Sequence, residues 1–232
     1  MSAPLLLLFD IDGTLVTGAA EAHAEALHEA LRLVHGVDAR RMSIPIPPAG
    51  RTDPEIARAL LLSAGVSATQ IDERADRVRE ECCRAYAQLC TEDLSHTVLP
   101  GVPDLLEWLS SQPGVLLGLL TGNYEPVARL KLRRAGLGKW FPSDQGAFGS
   151  DSEDRTMLPA IARRRAGTVG FPHPRERTVV LGDTPRDIAC ARADEVRVLC
   201  VATGPYPAEA LGDADEVVAD AGGLRGALQG LL

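Results

Sequence analysis

Several features are scarce in this sequence of 232 residues, and each scarcity excludes a class of protein. No apolar run approaches the roughly 18 residues that a membrane-spanning helix needs, so we expect no membrane span. There is no dense basic run and the net charge is −8, which argues against broad nucleic-acid binding because that needs a basic surface. The short apolar run at residues 5–9 lacks the charged region that precedes the core of a signal peptide.

Cysteine and lysine are scarce as well. The five cysteines show no Cys-x-x-Cys spacing, which favours free thiols in a reducing cytoplasm over a zinc site. We therefore predict a cytoplasmic protein. Only two lysines occur, Lys131 and Lys139, which limits the choice of a cation for any anionic ligand.

Along the chain, apolar runs typical of buried strands alternate with apolar residues at helical spacing. Continuous apolar runs predict buried strands at 5–9, 115–120, 178–181 and 196–201, with shorter strands at 147–149 and 216–218. Helical spacing is found at 102–109, 126–135 and 156–166. Strands that alternate with helices are typical of βαβ units, so we predict an α/β fold, a Rossmann-like parallel sheet with helices on both faces.

A wholly helical stretch interrupts this alternation after the first strand. Helices are predicted at 19–34, 53–64 and 67–89, with a proline-rich loop at 44–50. Thr52 with Glu55, and Ser67 with Gln70, have the spacing of capping boxes. We predict an inserted α-helical cap domain at 16–95 and a catalytic core formed by 1–15 and 96–232.

Acidic and polar residues follow three of the predicted strands. In an open parallel sheet, ligands bind at the carboxyl ends of the strands, so we expect these residues to meet. Clustered carboxylates repel and stay ionised only beside a cation, and oxygen-only ligands suit Mg²⁺. A site of this kind favours phosphoryl transfer, in which charge stabilisation dominates. The residues are Asp10 and Asp12 after the first strand, Thr121, Gly122 and Asn123 after the second, and Asp183 and Asp187 after the strand at 178–181.

These motifs resemble those of the haloacid dehalogenase superfamily. Asp10-Ile11-Asp12-Gly13-Thr14-Leu15 matches the first motif of that family, Thr121 the second, and Gly182-Asp183 with Asp187 the fourth. The helical insertion stands where one subgroup has its cap. Gly50-Arg51-Thr52-Asp53 is similar to a cap loop of phosphoglycolate-phosphatase-like members.

The resemblance implies a role for each acidic residue. Asp10 would be the nucleophile that forms an aspartyl-phosphate, and Asp12 the general acid and base. Asp183 would bind Mg²⁺ with Asp10 and the backbone carbonyl of Asp12. Asp187 would bind the metal through water or steer other ligands, or be merely a first-turn charge of a helix. Thr121, Gly122 and Asn123 would bind the phosphate.

The family also requires a cation beside the phosphate, and here the sequence departs from the pattern. The usual lysine precedes a proline late in the chain, where this sequence has Arg155-Thr156-Met157-Leu158-Pro159. Lys131 is the first candidate because side chains of a helix lean toward its N-terminus, and Arg155 is the second. Lys131 could instead be a solvated helix charge. Arg51 could contact a substrate carboxylate or phosphate, or be a surface arginine.

The predicted reaction is Mg²⁺-dependent hydrolysis of a small phosphorylated metabolite by a monomer or homodimer. Asp12 argues against dehalogenation, and a cap without lysine argues against phosphonate cleavage. A phosphomutase of the β-phosphoglucomutase type and a non-catalytic phosphate-binding relative are the alternatives. Asp194-Glu195 stands where many relatives have Ala-Gly, a departure that the sequence does not explain.

Overall fold

The computed structural model describes residues 3–43 and 45–232, and its centre is a six-stranded parallel sheet. The strand order is β3-β2-β1-β4-β5-β6, the order of a doubly wound Rossmann sheet. The strands are β1 (Leu5–Phe9), β2 (Val115–Thr121), β3 (Ala147–Phe148), β4 (Thr178–Gly182), β5 (Arg197–Val201) and β6 (Glu216–Val218).

Helices cover both faces of this sheet. Within the described residues they are α1 (Glu21–His35), α2 (Asp53–Ser63), α3 (Ala68–Leu89), α4 (Val102–Ser110), α5 (Glu125–Arg134), α6 (Leu158–Ala166), α7 (Pro185–Ala193) and α8 (Ala221–Gln229). Leu7 of β1 is buried with residues of α4, α5 and α8, whereas its neighbour Leu8 is buried with residues of α6 and α7. The predicted α/β fold is confirmed. In the chain from 3 to 43 and 45 to 232, no helix has the length and apolar character to cross a bilayer.

The inserted helices α1, α2 and α3 lie between β1 and β2. Ser67 accepts a hydrogen bond from the amide of Gln70 at 3.3 Å and its own amide donates to Gln70 Oε1 at 3.3 Å, which completes one predicted capping box. At α2, Thr52 accepts from the amide of Glu55, but the Glu55 carboxylate pairs with Arg51 instead of closing the box. Of the predicted loop at 44–50, residues 45–50 form no helix or strand, and Ile44 lies outside the described residues. The domain bounds at 16–95 stay a prediction.

Three helices differ from the sequence prediction, and one of them, α7, was included only through the alternative that makes Asp187 a first-turn charge. Residues Arg155–Met157 form a 3₁₀ turn, and α6 begins only at Leu158 with Pro159 in its first turn. Helix α8 was not predicted, because three glycines lower its helix propensity. Its position is fixed by Asp220, which accepts from the amide of Gly223 at 3.0 Å, and by its buried apolar face.

The structure explains Asp194 of the unusual Asp194-Glu195 pair, but not Glu195. Asp194 is buried and receives two hydrogen bonds from Arg163, at 2.6 and 2.9 Å, so its carboxylate neutralises a buried guanidinium. Glu195 has φ 55°, in the left-handed region that favours glycine. The relatives' glycine is the better residue for this backbone, and Glu195 is strained.

We expect Glu195→Gly to stabilise the protein by about 0.5–1 kcal/mol. Relief of the left-handed strain gives about 1–2 kcal/mol, and the greater freedom of glycine in the unfolded chain removes about 0.5–1 kcal/mol. A shift in the urea midpoint at constant slope measures the change. Glu195→Ala keeps the Cβ and serves as the control, and equal midpoints for the two variants would contradict the explanation.

Candidate active site

Three buried carboxylates meet at the carboxyl edge of the sheet. Asp10 follows β1, and Asp183 and Asp187 follow β4, the strand that pairs with β1. Each offers an oxygen within 4.8 Å of the oxygens of the other two. A Cβ on Gly13 or on Gly204 would collide with Asp183 Oδ2, so two glycines leave room for this carboxylate.

The cluster fits a hard divalent cation. Burial raises the pKa of Asp10 to about 7 and that of Asp183 to about 8, with further increases from the neighbouring carboxylates. Asp183 Oδ1 accepts from Thr14 Oγ1 at 3.1 Å, while the buried Oδ2 has no hydrogen-bond partner within the described structure. Carboxylate oxygens are the protein donors that Mg²⁺ takes, and the unpartnered Asp183 Oδ2 is free to serve as one. Asp10 and Asp183 are the best-placed ligands.

Both carboxylate oxygens of Asp187 accept hydrogen bonds from other protein groups. Its Oδ2 accepts from Thr184 Oγ1 at 2.7 Å and from the amides of Thr184 and Asp183 at 3.0 and 3.2 Å. Its Oδ1 accepts from Arg155 at 2.5 Å. Asp187 lies in the first turn of α7 and closes a capping box with Thr184, as the helix alternative has it. It also fixes Arg155, as the steering alternative has it, so the geometry fits both.

Asp12 has a different environment from Asp10. Lys131 Nζ lies 2.7 Å from each of its carboxylate oxygens, and Asn123 Nδ2 donates to Oδ2 at 3.1 Å. Burial would raise the pKa of Asp12, but the charge and hydrogen bonds of Lys131 outweigh it and hold the pKa below its usual value. The Asp12 side chain is still 36% exposed, toward the cavity.

The two candidate cations therefore have different contacts. Lys131 is fully buried, reaches back from α5 as the sequence predicted, and binds Asp12 and Asn123. Arg155 lies 3.1 Å from Asp10 Oδ1 and lines the cavity. Of the two, Arg155 is the one that contacts the candidate nucleophile.

The segment after β2 joins the core to the cap. Thr121 is buried and its Oγ1 accepts from the amide of Asn123 at 3.3 Å, just before the N-terminus of α5. A Cβ on Gly122 would collide with the backbone of Arg51, so this glycine permits the close approach of the cap loop.

Asp53 is a site residue that sequence reasoning missed. Its amide donates to Gly122 O at 2.8 Å, and its Oδ2 accepts from the amide of Tyr124 at 2.7 Å. His23 Nε2 lies 3.0 Å from the same oxygen. The signal in the sequence was its place in the cap-loop motif Gly50-Arg51-Thr52-Asp53, to which no separate role for Asp53 was assigned.

A cavity of about 600 Å³ lies between the carboxyl edge of the sheet and the cap. Lys131 and Asp187 are fully buried behind its wall. The predicted site residues that line it are Asp10, Asp12, Arg51, Thr121, Gly122, Asn123 and Asp183.

The sequence matches the profile of the haloacid dehalogenase-like hydrolase family over residues 5–193. The chain belongs to this family, which confirms the predicted resemblance and, with it, the prediction of a hydrolytic enzyme. It is 30% identical over 206 residues to a phosphoglycolate phosphatase of Pseudomonas savastanoi pv. phaseolicola, covering 86% of this chain and 69% of that protein.

Other relatives carry different names. The tyrosine-protein kinase PtkA of Mycobacterium tuberculosis is 27% identical over 202 residues, covering 87% of this chain and 63% of PtkA. A putative β-phosphoglucomutase from Thermotoga maritima shares the fold, with a TM-score of 0.59 at 22% identity, covering 98% of this chain and 100% of that one.

Proposed function

We propose that this protein is a Mg²⁺-dependent phosphatase that hydrolyses small phosphate monoesters through an aspartyl-phosphate on Asp10. The observation that carries the proposal is the contrast between two carboxylates on one loop. Asp10 shares a buried acidic cluster with Asp183, whereas Asp12 is held by Lys131 and Asn123. Carboxylates in contrasting environments can act as nucleophile and as acid–base group in one site.

In the first step, a carboxylate oxygen of Asp10 attacks phosphorus and the bond to the ester oxygen breaks. Asp12 is ionised in the free enzyme, and the phosphate placed beside it raises its pKa so that it takes up a proton. That proton passes to the departing alkoxide. In the second step Asp12 takes a proton from water, the water oxygen attacks phosphorus, and inorganic phosphate leaves as the Asp10 carboxylate is restored.

The remaining residues hold charge and geometry. We propose Arg155, the second candidate from the sequence, as the cation beside the phosphate, because it lies against Asp10. Lys131 is then a positioning residue that acts through Asp12. Asp10 and Asp183 would hold Mg²⁺, which when bound offsets the negative charge of the site and of the phosphate. The hydroxyl of Thr121 and the backbone amides before α5 would donate hydrogen bonds to the phosphate oxygens.

The free cysteines support the proposed cytoplasmic location. All five are unpaired thiols, and burial raises the pKa of Cys190 and Cys200 to about 12. Thiols of this kind are typical of a reducing compartment. Monomer or homodimer stays a prediction.

The test of the function is release of inorganic phosphate from p-nitrophenyl phosphate with Mg²⁺, compared with excess chelator. Acid quenching during turnover should capture one phosphoryl group on the peptide that contains Asp10. No release would favour the non-catalytic alternative. Transfer of the phosphoryl group between hydroxyls of a sugar phosphate, faster than its release to water, would favour the mutase.

Magnesium should stabilise the protein more strongly as the pH rises. The raised pKa values of Asp10 and Asp183 mean that the folded protein holds protons that the unfolded chain loses near pH 3.8. Without metal, this contribution to stability is lost as the pH rises through about 7 to 8. Because Mg²⁺ replaces those protons, the rise in melting temperature on adding Mg²⁺ should be larger at about pH 9 than at about pH 6.

One variant tests the metal site in this measurement, and a second serves as its control. Asp183→Asn should remove most of the Mg²⁺ shift, and the exposed Asp144→Asn should retain it. A Mg²⁺ shift that is the same at both pH values, or that survives in Asp183→Asn, would contradict the assignment of the metal site.

A further inference from the structure

The cap covers the acidic edge of the sheet with an apolar wall. Small or apolar residues line the cap side of the cavity, and they come from α1, the loop before α2, and α2 itself. They include Ala20, Ala24, Leu27, Pro48, Ala49 and Ile56. A ligand whose phosphate lies at Asp10 would place its organic group against this wall.

Two of the three basic side chains that line the cap wall already have partners. Arg51 pairs with Glu55, and its Nε donates to Pro47 O at 2.8 Å. His23 Nε2 lies 3.0 Å from Asp53 Oδ2. The third, His28, has a pKa that burial lowers, so it is neutral near pH 7. Among the cap residues described around the cavity, no positive charge is left free for a substrate carboxylate.

The size of the cavity also argues against a small charged ligand. Its volume of about 600 Å³ lies within the range of about 300–1,000 Å³ that holds drug-sized ligands. A two-carbon acid would leave most of this space unfilled. Its carboxylate would lie against apolar groups and above the acidic cluster, where an unpaired charge is costly.

We infer that the substrate is a phosphate monoester whose organic group is uncharged, mostly apolar and larger than two carbons. This inference rests on the proposed phosphatase function and specifies the substrate class of the same site. Arg51, for which the sequence left substrate contact and a surface position as alternatives, orders the cap loop through Glu55 and Pro47.

The experiment compares kcat/KM for ethyl, butyl and hexyl phosphate and for 2-phosphoglycolate, all with Mg²⁺. The alkyl esters have leaving groups of similar reactivity, so differences among them report binding of the chain. Full burial of one methylene group strengthens binding about fourfold. Hexyl phosphate has four more methylene groups than ethyl phosphate, and their partial burial should make its kcat/KM at least about 10-fold higher. 2-Phosphoglycolate should be poorer than ethyl phosphate.

The outcomes separate this inference from the function on which it rests. If 2-phosphoglycolate exceeds both ethyl and hexyl phosphate, the apolar substrate class is wrong and the phosphatase stands. If chain length has no effect, the apolar wall does not bind substrate and the inference also fails. No release from any ester would overturn the phosphatase, and this inference with it.

Two variants test the wall residues directly. Glu55→Gln removes the partner of Arg51 and should raise the ratio of kcat/KM for 2-phosphoglycolate to that for ethyl phosphate several-fold. Ala24→Phe narrows the cavity and should lower the hexyl-to-ethyl ratio toward one. Ala75→Phe, at an exposed position of α3 outside the cavity, is the control and should keep the wild-type ratio. Unchanged ratios in both Glu55→Gln and Ala24→Phe would overturn the inference.

Discussion

Replacement of Asp10 by asparagine is expected to reduce phosphate release by at least about 10⁴-fold, the scale seen when a covalent catalyst loses its nucleophile. The amide cannot form the bond to phosphorus, while its size preserves the contact with Arg155. Steady-state release of phosphate measures the loss, and the melting temperature shows whether the variant is folded. A folded Asp10→Asn enzyme with more than a tenth of wild-type activity would overturn the assignment of the nucleophile.

Asp12→Asn is the matched comparison, since it changes the neighbouring carboxylate on the same loop. We expect a loss of about 10²–10⁴-fold, because only the proton transfers are removed. With p-nitrophenyl phosphate, whose leaving group needs little protonation, the second step should slow more than the first. The phosphorylated Asp10 peptide should therefore accumulate in Asp12→Asn and be absent in Asp10→Asn.

Lys131→Met is expected to destabilise the fold by about 2 kcal/mol. Breaking a fully buried ion pair costs about 3–5 kcal/mol, and the cost here is lower because water can still reach Asp12. Urea unfolding measures the change. Lys139→Met is the control, since Lys139 is 66% exposed and its contact with the Trp140 ring should contribute at most about 1 kcal/mol.

The same variant distinguishes the role of Lys131 in catalysis. If Lys131 acts through Asp12, Lys131→Met should lower kcat by at least about 10-fold. This loss should be smaller than the loss caused by removing the Asp12 carboxylate itself. Inhibition by product phosphate should change little, because the phosphate would be bound by Arg155. A large loss of phosphate affinity with an unchanged kcat would instead make Lys131 the phosphate ligand.

The sheet could be read from the sequence because its strands are buried on both faces. Continuous apolar runs such as Leu5–Phe9 leave little choice of structure. Helix α3 was predicted because Ser67 and Gln70 form a local capping box, which requires no knowledge of distant contacts. Helix α8 was missed for the opposite reason, since packing against the core overrides the low propensity of its glycines.

The candidate site, too, could be predicted from the sequence only in part. That Asp10, Asp183 and Asp187 would meet follows from the rule that ligands bind where the parallel strands of a sheet end. Which cation contacts which carboxylate depends on side-chain directions across three elements, and the sequence carries no such information. Lys131 reaches the site as predicted, yet its partner is Asp12, while Arg155 contacts Asp10. The pairing of Asp53 with Tyr124 was equally hidden, because it joins the cap to the core.

The position of β1 in the sheet has a consequence for how the protein is made. Its neighbours are β2, where Leu5 lies opposite Val115, and β4, where Leu6 lies opposite Thr178. The strand that leads into Asp10 leaves the ribosome before β2 and β4, and has no partner until those later residues emerge. The helices α1 and α3 pack against each other in between and are complete by residue 89, so the cap can form while β1 is still unpaired. Residues 5–9, four leucines and a phenylalanine, are therefore an apolar segment of the nascent chain that stays unpaired and prone to aggregation until β2 and β4 are made.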